Sequence, residues 1–242
     1  MKDLRVAHLN VCSVRNKIDE LRCLQLLCRF ELIAITGTHL DKTVRDEALQ
    51  IEGMKLLRLD RKGRKGGGCK LYYNEHLQAT LRRDLFINGL EAICLQVKFS
   101  NTSALFSVMY RPPDDNYFFR LIEQSLEKAW LKSACTILLG DFNCDFSTRE
   151  DCNRNSTKLR LIFEMFYIEN VIKTATRITL TSRTRIDLIV TTRKDSVGIT
   201  GVFPLGISDH NLIIFQRGRS QGLRQSTKNI MKLKEEITAQ FA

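Results

Sequence analysis

The residues with chemistry to offer stand at the ends of apolar runs. Asp141 and Asn143 follow Thr136-Ile137-Leu138-Leu139-Gly140, with one aromatic, Phe142, between them. In an extended segment residues two apart point the same way. Acid and amide would then face one site while Phe142 turns into the core. The carboxylate can accept a proton from water, and the amide can donate to a phosphate oxygen. Taken alone, the pattern reads first as a strand closing in an Asx turn. Similar groups recur elsewhere: Ser208-Asp209-His210 precedes an apolar run, Asn10 and Tyr110 each close one, and Asp187 stands in Thr184-Arg185-Ile186-Asp187. Hard oxygen donors of this kind suit Mg²⁺ or Mn²⁺. A histidine beside acids suits acid-base or electrostatic work on phosphate.

Regular elements must bring these groups together. Apolar patterning predicts strands over 4–10, 31–35, 92–99 and 104–110, the last closed by Arg111-Pro112-Pro113. A helix is expected over 14–29, capped by Ser13, with Ile18, Leu21, Leu24 and Leu27 or Cys28 at helical spacing. Strand, helix and strand with short links suggest a right-handed crossover. Gly66-Gly67-Gly68 opens a hairpin strand over 69–73. Gly63 and Gly68 have phosphate-loop spacing, but Cys69 stands where a lysine is required, which excludes a Walker-type site. Helices are predicted over 116–132 and 156–167, and strands over 178–181, 186–192, 197–202 and 212–215. From Gly218 the chain turns polar and basic, with a short helical candidate over 232–239. Residues 1–217 read as one domain and 218–242 as a tail or linker. Polar groups gathered at strand ends of an α/β sheet protein are where ligands bind.

Composition narrows the partner. The 242 residues carry 38 Lys+Arg against 27 Asp+Glu, a net charge of +11, which favours a polyanion, either nucleic acid or an anionic membrane surface. No apolar run approaches the roughly 18 residues of a membrane span, and the N-terminus lacks the apolar core of a signal peptide. The eight cysteines are scattered, without a C-x-x-C pair. They read as small hydrophobes of a reduced, intracellular protein.

Six motifs in order, namely Leu9-Asn10, Thr38-His39-Leu40, Tyr110-Arg111-Pro112-Pro113, Gly140-Asp141-Phe142-Asn143, Thr184-Arg185-Ile186-Asp187 and Ser208-Asp209-His210, resemble the endonuclease/exonuclease/phosphatase superfamily. Within it they look most like the abasic-site-like endonuclease domain of LINE-type (non-LTR) retrotransposons. The resemblance implies an α/β fold: a four-layer α/β sandwich of two mixed β-sheets face to face, with helices outside. It implies metal-dependent hydrolysis of a phosphodiester, nicking DNA, with Mg²⁺ or Mn²⁺ as cofactor. Asp141 would orient and deprotonate water, Asn143 and Tyr110 would bind the phosphate, and His210, paired with Asp187, would stabilise developing charge. Asn10 and Asp209 would lie near the metal. Arg61, Lys62, Arg64, Lys65, Arg111, Arg183 and Arg185 are the expected nucleic-acid contacts. A reverse-transcriptase domain outside this chain and a nuclear location are further expectations.

One position departs from the pattern. The resemblance places a metal-binding glutamate directly before Thr38, and here that residue is Gly37. Asp41 and His39 are nearby, but Asp41 lies four residues on, past the strand end. Two readings follow. One is a DNA endonuclease with weakened metal binding; the other is a DNA-binding module of the same fold with little chemistry. A phosphoinositide-type phosphatase or sphingomyelinase is a third, less favoured reading.

Overall fold

The computed structural model describes residues 4–217 except 64, 101 and 149–152. The tail and its helical candidate, together with Arg64, lie outside the described residues. In chain order the described elements are β1 (Leu4–Asn10), α1 (Ile18–Cys28), β2 (Leu32–Thr36), β3 (Met54–Leu59), β4 (Cys69–Asn74), β5 (Ala79–Leu81), β6 (Glu91–Lys98), β7 (Ser103–Tyr110), α2 (Phe118–Trp130), β8 (Thr136–Asp141), α3 (Arg154–Met165), β9 (Glu169–Asn170), β10 (Arg177–Ile178), β11 (Arg183–Thr184), β12 (Asp187–Thr191), β13 (Val197–Phe203) and β14 (Leu212–Arg217).

The central strands are apolar on both faces and so must be covered on both. One six-stranded sheet runs β13-β14-β1-β2-β4-β3 and the other β5-β6-β7-β8-β12-β9. Both are mixed: β1 and β2 pair in parallel, as do β7 and β8, while the other pairings are antiparallel. Strand alternation sorts the side chains into layers. Leu4, Val6, Leu32, Ala34, Ile137, Leu139, Ile189, Ile213 and Phe215 meet between the sheets. Ala7, Leu9, Ile33 and Ile35 turn outward onto Leu21 and Leu24 of α1. Met109, Leu138, Leu188 and Val190 turn outward onto Phe118 and Ile122 of α2 and Leu159 and Phe163 of α3. The result is the expected four-layer sandwich.

Three local predictions need correction. Helix α1 begins at Ile18, and Ser13 does not cap it. Residues 11–14 instead run on beside the exit of β2, through Val11 N–H to Thr36 O, Ser13 N–H to Gly37 O and Val14 N–H to Thr38 O. Cys12 and Ser13 take positive φ to do so. The strand predicted over 178–181 is a small hairpin, β10 with β11, whose turn is held by the Thr179 and Ser182 hydroxyls. Strand β3 escaped prediction because Lys55 and Arg58 interrupt its apolar run, as suits a sheet edge. The glycine hairpin behaves as expected, with positive φ at Gly66, Gly67 and Gly68 between the paired β3 and β4. All described cysteines are free. Among the described residues no helix is long and apolar enough to cross a membrane.

Candidate active site

Period-two alternation carries the polar groups to one place. In β1 the residues facing the other sheet are Leu4, Val6, His8 and Asn10; in β8 they are Ile137, Leu139 and Asp141; in β7, Phe106, Val108 and Tyr110. The apolar members fill the gap between the sheets, and the polar ones line its end. Register brings them level, with Asp141 opposite Tyr110 on one side and Asp187 on the other. Asn10 Nδ2 then reaches across from the first sheet and donates to Asp141 Oδ2 at 2.7 Å. Gly140 lets β8 come this close to β7, since a Cβ there would lie 1.9 Å from the Met109 carbonyl oxygen.

Asp141, Asp187 and His210 form a buried cluster with donor atoms within 4.8 Å of one another. His210 Nδ1 bonds Asp187 Oδ2 at 2.8 Å, which leaves Nε2 for a substrate. Burial alone would lower the His210 pKa, but the Asp187 hydrogen bond and the charges of Asp187, Asp141 and Asp209 outweigh it, so the pKa is raised. Burial, reinforced by Asp187, also raises that of Asp141. A carboxylate and an imidazole whose proton affinities are both raised, side by side, suit acid-base chemistry near neutral pH.

Both sequence readings of Asp141 and Asn143 hold together in one geometry. The Asn143 N–H closes an Asx turn on Asp141 Oδ1 at 2.9 Å, with Asn143 at φ +47. The side chains meet through this turn rather than through strand alternation. The Asn143 amide donates to Arg111 O at 2.7 Å and to Asp141 Oδ2 at 3.3 Å, so here it holds the acid in place. The Tyr110 ring lies under the Arg61 guanidinium, and burial pushes its hydroxyl up to about 12, so it stays a donor. Asp209 Oδ2 accepts from Arg177 Nε at 2.7 Å.

His8, Thr36, Arg177 and Cys12 were not singled out from sequence. His8 lies wholly buried behind Asp187, with Nδ1 3.9 Å from Oδ1 and Nε2 3.0 Å from Thr36 Oγ1. Its place two residues before Asn10 in an alternating strand was a usable signal. Arg177 and Cys12 left none.

The basic residues divide. Lys62, Lys65 and Arg183 are exposed, as a phosphate contact requires. Arg111 is not: it is fully buried, lies over the Phe119 ring, and donates to the Phe142 and Asn143 carbonyls. Arg185 is half-buried and donates to the carbonyls of Phe146, Ser147, Ile172 and Lys173. These two are corrected from DNA contacts to backbone clamps, because a guanidinium enclosed by carbonyl oxygens is no longer offered to phosphate. Arg61 is largely enclosed too, paired with Glu91, whose other oxygen holds Gly68 N–H at 2.8 Å.

The donor set does not fit a hard octahedral cation such as Mg²⁺. Gly37 brings no oxygen, and the Asn10 side chain fills the space before it, with Oδ1 2.2 Å from where a Cβ would stand. Asn10 Oδ1 accepts the Cys12 N–H at 3.1 Å, and Asp209 is ion-paired. Asp41 cannot substitute, since it is exposed and spent on Arg15 and Thr43. The expected metal residues Asn10 and Asp209 are thus present with one oxygen of each engaged, and no carboxylate stands at position 37 to complete the shell of such an ion.

Comparison with known proteins agrees with this architecture. The profile described as Endonuclease/Exonuclease/phosphatase family matches residues 7–210. The endonuclease domain of TRAS1, a telomere-specific non-LTR retrotransposon, superposes with a TM-score of 0.74 at 16% identity, covering 90% of this chain and 99% of that one. The 3′ phosphatase NExo from Neisseria, bound to product DNA hairpin, gives 0.69 at 13% identity over 89% and 99%. An AP endonuclease from Archaeoglobus fulgidus gives 0.66 at 13% identity over 88% and 98%. No curated protein matches the sequence.

Proposed function

This chain belongs to the endonuclease/exonuclease/phosphatase family, and from that premise we propose that it is a DNA-directed phosphodiesterase of the endonuclease type, with the acid-base half of its site in place and the metal half impaired. One observation carries the reading: the His210–Asp187 pair at 2.8 Å, buried beside Asp141. Asp141 takes the proton of the attacking water. His210, oriented by Asp187, presents Nε2 to the charge that grows on the phosphate, and Tyr110 donates alongside it. Asn143 fixes Asp141, and its amide turns to a phosphate oxygen on binding. Preorganised donors of this kind are each worth about 10²–10³ in rate. Lys62, Lys65 and Arg183 hold the duplex by its phosphates. In the family a divalent cation such as Mg²⁺ or Mn²⁺ supplies Lewis-acid help to the same phosphate; no residue here takes the place of its carboxylate. Hydrolysis is accordingly slow, and duplex binding is the stronger property. Nicking of supercoiled plasmid with Mg²⁺ and with Mn²⁺, beside Asp141→Ala and His210→Ala, tests this. Weak nicking lost in both variants is the expected result. Nicking as strong in the variants as in the parent sinks the assignment. Silence throughout, with salt-dependent duplex binding retained, leaves the binding module as the function.

A further inference from the structure

Cys12 has no part in the mechanism above, yet it stands at the mouth of the same site. Its Sγ lies 3.6 Å from Asp209 Oδ1 and 3.6 Å from Asn10 Oδ1. His210 Nε2 lies 3.9 Å from the same Asp209 oxygen. Sulfur, imidazole nitrogen and carboxylate oxygen all fall within 4.8 Å of one another. A tetrahedral zinc ion, with bonds of about 2.3 Å to sulfur and about 2.0 Å to oxygen, sets such donors roughly 3.5 Å apart. The observed spacing needs only small side-chain rotations to close on an ion.

The outer atoms of these side chains are already held. His210 Nδ1 is fixed by Asp187 Oδ2 at 2.8 Å, and Asp209 Oδ2 by Arg177 Nε at 2.7 Å. A carboxylate behind the imidazole is the support that metal-binding histidines use. Both anchors leave the inner atoms, Nε2 and Oδ1, facing the thiol. Cys12 is exposed and Asp209 partly so, which gives an ion a way in from solvent.

We propose that Cys12, Asp209 and His210 form a site for a thiophilic divalent cation of the zinc class, its fourth position filled by water. Sulfur and imidazole ligands select such an ion over Mg²⁺. Coordination releases the thiol proton to solvent. The consequence rests on the function proposed above: an ion on Nε2 occupies the face that the phosphate needs, so zinc closes the site.

Cobalt(II) serves as the spectroscopic probe on the full chain. One equivalent should give visible bands of a tetrahedral ion and a near-ultraviolet thiolate charge-transfer band, both removed by added zinc. Cys12→Ser should abolish the thiolate band and weaken binding by about 100-fold or more, since loss of even an outer-shell partner costs about 10–100-fold. Cys23→Ser, which removes a partly exposed cysteine elsewhere, should change neither. Circular dichroism confirms that each variant is folded. Absence of the tetrahedral bands, or a thiolate band that survives Cys12→Ser, overturns the site. Mn²⁺-supported nicking should be inhibited by zinc and spared in Cys12→Ser; zinc that binds without slowing nicking overturns the closure. Should the chain not nick at all, the cobalt spectra decide the site by themselves.

Discussion

Returning a carboxylate by Gly37→Glu probes the metal side of the site more sharply than removing any residue from it. Gly37 sits at φ +62, and a Cβ on it would lie 2.2 Å from Asn10 Oδ1. A non-glycine residue held at positive φ costs about 1–3 kcal/mol. Asn10 must also swing away, giving up its 2.7 Å bond to Asp141 and the Cys12 N–H that it accepts. Hydrogen bonds to a charged partner contribute about 1.5–3 kcal/mol each, and neutral ones about 1 kcal/mol. The substitution therefore costs roughly 4–7 kcal/mol, a fall in Tm of about 15 °C at 2–4 °C per kcal/mol for a chain of this size. Melting curves in EDTA and in excess Mg²⁺ measure it, with Gly37→Ala, which carries the same Cβ, separating the backbone and Asn10 costs from the effect of the carboxylate. The expected result is a large fall for both variants, with no recovery by Mg²⁺ and no gain in nicking for Gly37→Glu. An unchanged Tm in EDTA, with stabilisation and nicking gained in Mg²⁺, would refute the reasoning and show that residue 37 crosses freely to negative φ.

Burial lowers the His8 pKa to about 4 from 6.5. As pH falls below 6.5 the unfolded chain takes up this proton and the folded one does not. Stability is therefore lost down to about pH 4, by about 3 kcal/mol from this group. His8→Gln, which keeps a donor for Thr36, should flatten that part of the stability-pH curve; an identical acid loss in the variant would contradict the assignment. Arg111→Met should lower stability by about 2–3 kcal/mol, because it strips the 142–143 turn of its buried donor, and leave the salt dependence of duplex binding unaltered. Lys65→Ala should do the reverse, reducing the salt slope by about 1 with little change in Tm. A salt slope that responds to Arg111 and ignores Lys65 would reverse this division of the basic residues.

Much of this site is local and therefore readable without coordinates. Alternation in 4–10 and 136–141 places Asn10 and Asp141 on the face of their strands' buried residues, and the apolar runs that carry them demand a two-sided cover. The glycine at 37, where the family resemblance places a carboxylate, is visible in the chain itself. Composition gave the basic character, since charge is a sum over residues and needs no arrangement. The backbone turn at 11–14 was misread because a helical pattern beginning at Ile18 runs smoothly back into it. Only pairing with residues 36–38 excludes the helix there.

What tertiary structure alone decided is which polar group meets which. Asn10 and Asp141 are 131 residues apart, and Arg177 and Asp209 are 32 apart. No periodicity reports such a contact. Whether an arginine faces DNA or its own carbonyls depends on what packs over it, so Arg111 and Arg185 looked like phosphate ligands until their surroundings were known. The same holds for Gly37. The resemblance places a carboxylate at this position, while the fold shows the Asn10 side chain filling the space before Gly37, and the cost of a side chain there follows from that occupancy.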